Sequence, residues 1–271
     1  MSLNIGILSS SQSAAAPPTF TYLLDLYPGA RTAISFRKLR STYTGNCIQV
    51  RRSSDNATQD IGFVNNILDI ATLTTFVGAN NGFISIWYDQ GTLGNNFIQN
   101  TLANQPQIII AGVLQLVNGK PATYFNSTVS NITVTTSLSG VTNTFDVMKT
   151  ADTNFILYHA GANSNELISV GTQSSTATLI NSGASVASYY KNNALQTAPI
   201  NRGQVYTLIS TNAQILLSYV ASLTNWGSVS LSGYGSGFQL ECFKQEFIIY
   251  FSQTPNISGI NTNINSFYSI Y

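Results

Sequence analysis

Cys47-Ile48-Gln49-Val50-Arg51-Arg52-Ser53-Ser54-Asp55-Asn56, running on to Gln59-Asp60-Ile61-Gly62, reads as a strand over 47–52 that leads into a polar turn. Only 8% of the chain is charged, yet six of its eleven basic residues (Arg31, Arg37, Lys38, Arg40, Arg51, Arg52) fall between 31 and 52, and Asp55 and Asp60 follow at once. Charge concentrated in this way has two physical uses. It forms an internal ion-pair and hydrogen-bond network that fixes a fold, or it lines a polar site.

Outward from this stretch, short runs of Val, Ile, Tyr and Phe are separated by Gly, Ser, Thr and Asn, the pattern of many strands and many turns. Strands are expected at 82–88, 107–110, 113–117, 122–125, 132–136, 144–149, 155–159, 167–171, 177–180, 186–190, 205–210, 214–220 and 238–250. Short helices are expected at 33–41 and at 70–77, the latter capped by Asp69 and stopped by Gly78. A last helix should start with Thr254 as N-cap and Pro255 at its first position, with Ile257, Ile260, Ile264, Phe267 and Tyr268 on one face. Many strands with helices only at the edges give an all-β fold, a two-sheet sandwich or jelly roll with short peripheral helices. Residues 20–271 read as one domain. Residues 1–19, with Leu3, Ile5 and Ile7 alternating before a Ser/Ala/Pro linker, read as an extended arm suited to strand addition on a neighbouring subunit, which makes a homo-oligomer the expected state.

Composition excludes several classes. A formal charge of +1 creates no field for nucleic acid or an anionic membrane, and no apolar run approaches the roughly 20 residues that span a bilayer. Residues 1–20 lack the basic start of a signal peptide. One histidine, His159, and two cysteines without a Cys-x-x-Cys pair supply no metal-ligand spacing, and no cofactor motif is present. Cys47 and Cys242 each sit in an apolar strand-like run and read as buried free thiols in preference to one long-range disulfide. His159 reads as a strand-end residue, since no nucleophile motif accompanies it.

Three motifs carry a resemblance: Arg51-Arg52-Ser53-Ser54-Asp55-Asn56, Trp87-Tyr88-Asp89-Gln90-Gly91 with Gly94-Asn95-Asn96 and Gln99, and Asn118-Gly119-Lys120-Pro121-Ala122. Together they resemble the catalytic domain of the α-L-arabinofuranosidase B family, and still more a group of non-enzymatic relatives encoded by bacteriophages and bacteria. The ending, Gln245-Glu246-Phe247-Ile248-Ile249-Tyr250 with Tyr268-Ser269-Ile270-Tyr271, is similar to how those relatives close. The resemblance implies a concanavalin-A-like sandwich. It also implies a nucleophilic Glu after a mid-domain loop, a place Glu166 could occupy, and an acid/base Asp in a glycine-rich loop. That loop here reads Ser232-Gly233-Tyr234-Gly235-Ser236-Gly237, with no acid. Glu241 and Glu246 follow it and read as strand residues.

A retaining glycosidase needs two carboxylates, so the expectation from sequence is a chain that is not an enzyme. It would be a structural protein of a bacteriophage virion, on a tail or head appendage, assembled in the host cytoplasm and anchored to other virion proteins through its arm. The alternatives are an arabinofuranosidase-like hydrolase and a free carbohydrate-binding module. Trp87 and Asp89 could form an aromatic platform and a hydroxyl acceptor for a host-surface glycan. The preferred reading of Asp89 is a buried acceptor for Arg51 or Arg52, within a structural network of Arg51, Arg52, Asp55, Asp60 and Asp89.

Overall fold

The computed structural model describes residues 20–126, 128–150, 156–159, 167–169, 176, 184–197, 201–233, 240–251 and 254–271. Their centre is the strand Cys242–Phe251. Along one edge it pairs antiparallel with the 19-residue strand Ile132–Thr150; its other edge is shared by Ala30–Ser35 and Thr123–Phe125. The long strand also pairs with Gln214–Leu231 from Ile132 to Lys149, with register shifts around Thr135, Leu138 and Gly140. Those irregularities bend one continuous strand so that it serves both ends of the sandwich. Its first residues meet the short strand Phe97–Ile98, and through it Gly82–Trp87 and Ile48–Arg52. The fold is an all-β, jelly-roll-like sandwich.

Two apolar clusters explain why the central strand shows no alternation in sequence. Phe247 and Ile249 join the main core with Trp87, Phe97, Val134 and Leu217, while Ile248 and Tyr250 face a second cluster built with Phe145, Val147 and Leu216. Helix α1 (Leu23–Leu26) and a C-terminal helix (Ile257–Tyr268) cover that second face. A strand buried on both sides reads as a continuous apolar run, because neither face needs polar residues. Polar residues inside it must therefore be paired. Lys244 and Asp146, both fully buried, form one ion pair, and Arg37 and Glu246 form another. Burial pushes the Asp146 carboxyl up while the Lys244 ammonium pulls it down.

Helix α2 (Ile70–Val77) forms where Asp69 and Gly78 predict it. Asp69 accepts from Thr72 N at 3.0 Å, and Gly78 takes φ +59°, a conformation that favours glycine. Two expected elements are reversed. Residues 30–35 form a strand rather than the start of a helix at 33–41, because the edge of 246–250 supplies a ladder for them, irregular only between Ala30 and Thr32. Residues 202–209 form α3 rather than a strand, with Asn201 capping Gln204 N. The C-terminal helix, α4, is capped by Asn256 and not Thr254: Asn256 Oδ1 accepts from Gly259 N at 2.9 Å. The expected strand 238–250 begins at Cys242, which leaves Glu241 outside it. Strand 177–180 and the arm 1–19 lie outside the described residues.

Asparagine also shapes the turns. Asn65-Asn66, Asn192-Asn193 and Asn118-Gly119 each take positive φ at both positions between paired short strands. These are two-residue hairpin loops of the kind whose twist suits antiparallel strands, and Asn tolerates the left-handed region better than other side chains. The Asn118-Gly119-Lys120-Pro121 motif is thus a hairpin turn. Cys47 and Cys242 are free and buried; Cys47 Sγ donates to the Ser35 carbonyl and Cys242 Sγ lies 3.0 Å from Ser232 Oγ.

Candidate functional site

The charged stretch resolves into separate local anchors. Arg51, 6% exposed, donates to Gln105 Oε1 (2.7 Å), Asn56 Oδ1 (2.8 Å) and the Leu102 carbonyl (3.1 Å), and lies over the Phe83 ring at 4.4 Å. It braces the 99–105 segment and, among the described residues, hydrogen-bonds to no carboxylate. Arg52 pairs with Asp55 at 2.6 Å and donates to the Phe76 carbonyl in the last turn of α2. The Arg52 hydrogen bond, with the Ala57 amide, holds the Asp55 carboxyl down at about 2. Asp60 accepts from Tyr88 Oη (2.8 Å) and Gln49 Nε2 (3.2 Å). Burial and this bond push the Tyr88 phenol up to about 12.

Asp89 is bonded to neither Arg51 nor Arg52. Its Oδ1 accepts from the backbone amides of Ala33 and Gly91, both at 2.8 Å, and its Oδ2 from Asn95 N at 2.9 Å; its own amide donates to Asn96 Oδ1. Burial pushes this carboxyl up, and the three amides pull it back. The physical reason for the mismatch is topological: Arg51 lies on the face toward 99–105, whereas the chain turns at Asp89 toward the first strand. Asp89→Asn should destabilise the fold by about 1–3 kcal/mol, because an amide group cannot accept from donors on both sides and one buried N–H loses its partner. Urea titration of the variant checks this.

Trp87 is fully buried and stacked on Phe36 with ring centroids 4.5 Å apart. It cannot serve as a platform for a glycan, which corrects the surface role considered for it. Gln90, equally buried, accepts from Leu39 N and donates to the carbonyls of Ser35 and Arg37. Each member of Trp87-Tyr88-Asp89-Gln90 thus fastens a different segment, so the motif is a clasp.

A hydrolytic centre must come from other carboxylates. Of the ten acidic residues, Asp152 and Glu166 lie outside the described residues. Asp146 and Glu246 are committed to buried ion pairs, Asp55 to Arg52, Asp69 to a helix cap and Asp89 to backbone amides. Asp25 accepts from Ser41 N and is exposed. Glu241 stands apart: it is half-buried, comes four residues after Gly237 of the glycine-rich stretch, and accepts a hydrogen bond from Tyr124 Oη at 2.8 Å. Tyr124 lies against Phe243 (centroids 5.1 Å), so the carboxylate sits beside an aromatic pair. Burial, then Glu241, raises the Tyr124 phenol to about 12. Sequence reading overlooked this group by assigning Glu241 to the strand. His159 contributes backbone pairing to Leu167 and Ser230.

Comparison with known proteins now bears on which chemistry these residues serve. Residues 25–158 match the family described as alpha-L-arabinofuranosidase B, catalytic. A probable alpha-L-arabinofuranosidase B of Aspergillus flavus is 35% identical over 97 residues, 35% of this chain and 19% of the relative. The alpha-L-arabinofuranosidase B of Aspergillus oryzae is 34% identical over 97 residues, again 19% of its length. The aligned segment is therefore about a fifth of each curated relative. Among solved structures, a GH54 α-L-arabinofuranosidase soaked with a cyclic sulfate inhibitor superposes with TM-score 0.61 and 16% identity, over 89% of this chain and 64% of that one. An arabinofuranosidase complexed with arabinofuranosyl-α-1,2-xylobiose gives 0.58 and 16%.

These matches correct three expectations. They are to glycoside hydrolases, which overturns the reading of a bacteriophage structural protein and of a chain that is not an enzyme. The curated relatives come from Aspergillus, which overturns the virion location as well. The missing acid in 232–237 carried the earlier inference, and Glu241, placed outside the strand, weakens it.

Proposed function

We propose that this chain is an arabinofuranosidase-like glycoside hydrolase domain acting on α-L-arabinofuranosyl groups, with Glu166 as nucleophile and Glu241 as acid/base. The observation that carries the reading is the match of residues 25–158 to the arabinofuranosidase B catalytic domain, on a fold shared with such enzymes over 89% of the chain. In the first step the Glu166 carboxylate would attack the anomeric carbon while Glu241, protonated, gives its proton to the departing glycosidic oxygen, leaving a glycosyl ester. In the second, Glu241 takes a proton from water, which attacks the same carbon and frees Glu166. The Tyr124 hydroxyl orients Glu241, and the Tyr124–Phe243 pair offers an apolar face to a sugar ring.

The test is cleavage of 4-nitrophenyl α-L-arabinofuranoside by the purified chain, with product anomers followed by proton NMR. Turnover with retained configuration is the expected result. Release no faster than in buffer ends the hydrolase reading. It would then favour a carbohydrate-binding domain without turnover, a reading supported by the absence of any acid in 232–237.

A further inference from the structure

We infer that a polar cleft beside the loop after Asp89 binds neutral oligosaccharide. This cleft, of about 380 Å³, is lined by Gly94, Asn95, Asn96, Ile98, Asn100, Thr133 and Thr135. Thr133 and Ile98 are backbone partners, so the polar loop after Asp89 and the outer face of the long strand form its two walls. Along that strand Ile132 and Val134 point into the core, which leaves Thr133 and Thr135 on the open side.

The walls are built in advance of any ligand. Asp89 holds the amides of Gly91 and Asn95, Asn95 Nδ2 donates to the Arg31 carbonyl at 2.6 Å, and Thr32 Oγ1 donates to the Asn95 carbonyl. Gly94 takes φ +68° to make the turn, closed by the Asn96 amide on its carbonyl. A pre-formed concavity of a few hundred Å³ with a few convergent polar groups is the usual shape of a small-ligand site.

The lining chemistry sets the ligand class. It contains amides and hydroxyls, which both donate and accept, and among the described residues no charged side chain. An anion or cation would lose its hydration without a partner, at a cost of several kcal/mol. Sugar hydroxyls match such a surface, and Ile98, 40% exposed, meets the C–H face of a ring. Among the described residues no acidic side chain lines this cleft, so the inference is one of binding and not of cleavage. The ligand class follows from the lining; the choice of pentose probes rests on the hydrolase reading.

The experiment is calorimetric titration of the full chain with short arabino- and xylo-oligosaccharides at low and high salt. Binding that is insensitive to salt is expected, because no ion pair contributes. Thr135→Arg, which fills the cleft from an exposed position, should raise Kd about tenfold or more, and Asn100→Ala should weaken binding with the thermal midpoint unchanged. Absence of binding by every oligosaccharide, or unaltered Kd in both variants, overturns the inference. Wild-type cleavage of the aryl arabinofuranoside is read separately. No cleavage with cleft binding intact defeats only the hydrolase reading, and cleavage without cleft binding defeats only this one.

Discussion

Glu246→Ala should cost about 3–5 kcal/mol of folding stability, measured as a lowered urea midpoint with an unchanged slope. Glu246 and Arg37 are both essentially inaccessible to water, at 0% and 2% exposure, and meet through two bonds, Nε to Oε2 at 2.7 Å and Nη2 to Oε1 at 2.9 Å. Ser35 Oγ donates to the same carboxylate, and Arg37 Nη1 donates to Asn263 Oδ1 in α4. The guanidinium also lies over the rings of Phe267 and Tyr268, at 5.1 and 5.8 Å. The pair thus ties the end of the first strand to the last strand and the last helix. Removing the carboxylate strands a buried guanidinium. Burial disfavours that charge, while Glu246 holds its pKa up, so without Glu246 the desolvation cost stands alone. Arg37→Lys should lose much of the same energy, because a single ammonium cannot replace the two parallel bonds. Domains of this kind have roughly 5–15 kcal/mol in total, so reduced soluble yield is expected as well. A loss below about 1 kcal/mol would show that the site relaxes or hydrates, contrary to its packing.

How much of this was legible in the sequence follows from which signals are local. The helix 70–77 is readable because its start and stop residues, Asp69 and Gly78, act within one turn. The helix 202–209 was not, since Val205, Tyr206, Thr207 and Ile209 carry strand propensity and the decisive cap is the single Asn201. The strand 30–35 was misread because Ile34, Phe36 and Leu39 imitate helical spacing, while its partner lies more than 200 residues away. The charged cluster was visible, but not its pairing: Arg37 matched Glu246, at the far end of the chain, and Arg51 matched neutral Gln105 and Asn56. One wall of the polar cleft, Gly94-Asn95-Asn96, belongs to a motif visible in the sequence, but the cleft itself is not. It exists only because Thr133 is brought against Ile98, and Asn and Thr in a chain so rich in both carry no signal of their own.

Glu166→Gln should reduce arabinofuranoside turnover to the blank, and Glu241→Gln should lower kcat by about 10²–10⁴, if these residues are nucleophile and acid/base. The two roles separate cleanly. A retaining enzyme places its carboxyl groups about 5–5.5 Å apart, and only the nucleophile forms a bond to carbon. Without Glu241, attack by water in the second step lacks its base, so added azide should restore turnover and yield a glycosyl azide of retained configuration. Azide cannot replace the Glu166 carboxylate in a retaining sequence. Loss of the acid should also weigh less on a nitrophenyl substrate, whose leaving group needs little protonation, than on an arabino-oligosaccharide. The limb of the pH profile that reports the acid should disappear in Glu241→Gln. Tyr124→Phe should act through Glu241, lowering kcat by less than Glu241→Gln does, because it removes only the hydroxyl bonded to Oε1. An unaltered kcat and pH profile in Glu241→Gln, in an otherwise active enzyme, would remove Glu241 from the mechanism and turn attention to Asp152. Glu241→Gln should leave the urea midpoint nearly unchanged, since the half-buried carboxylate has one neutral hydrogen bond to lose, in contrast with Glu246, five residues on in the same segment.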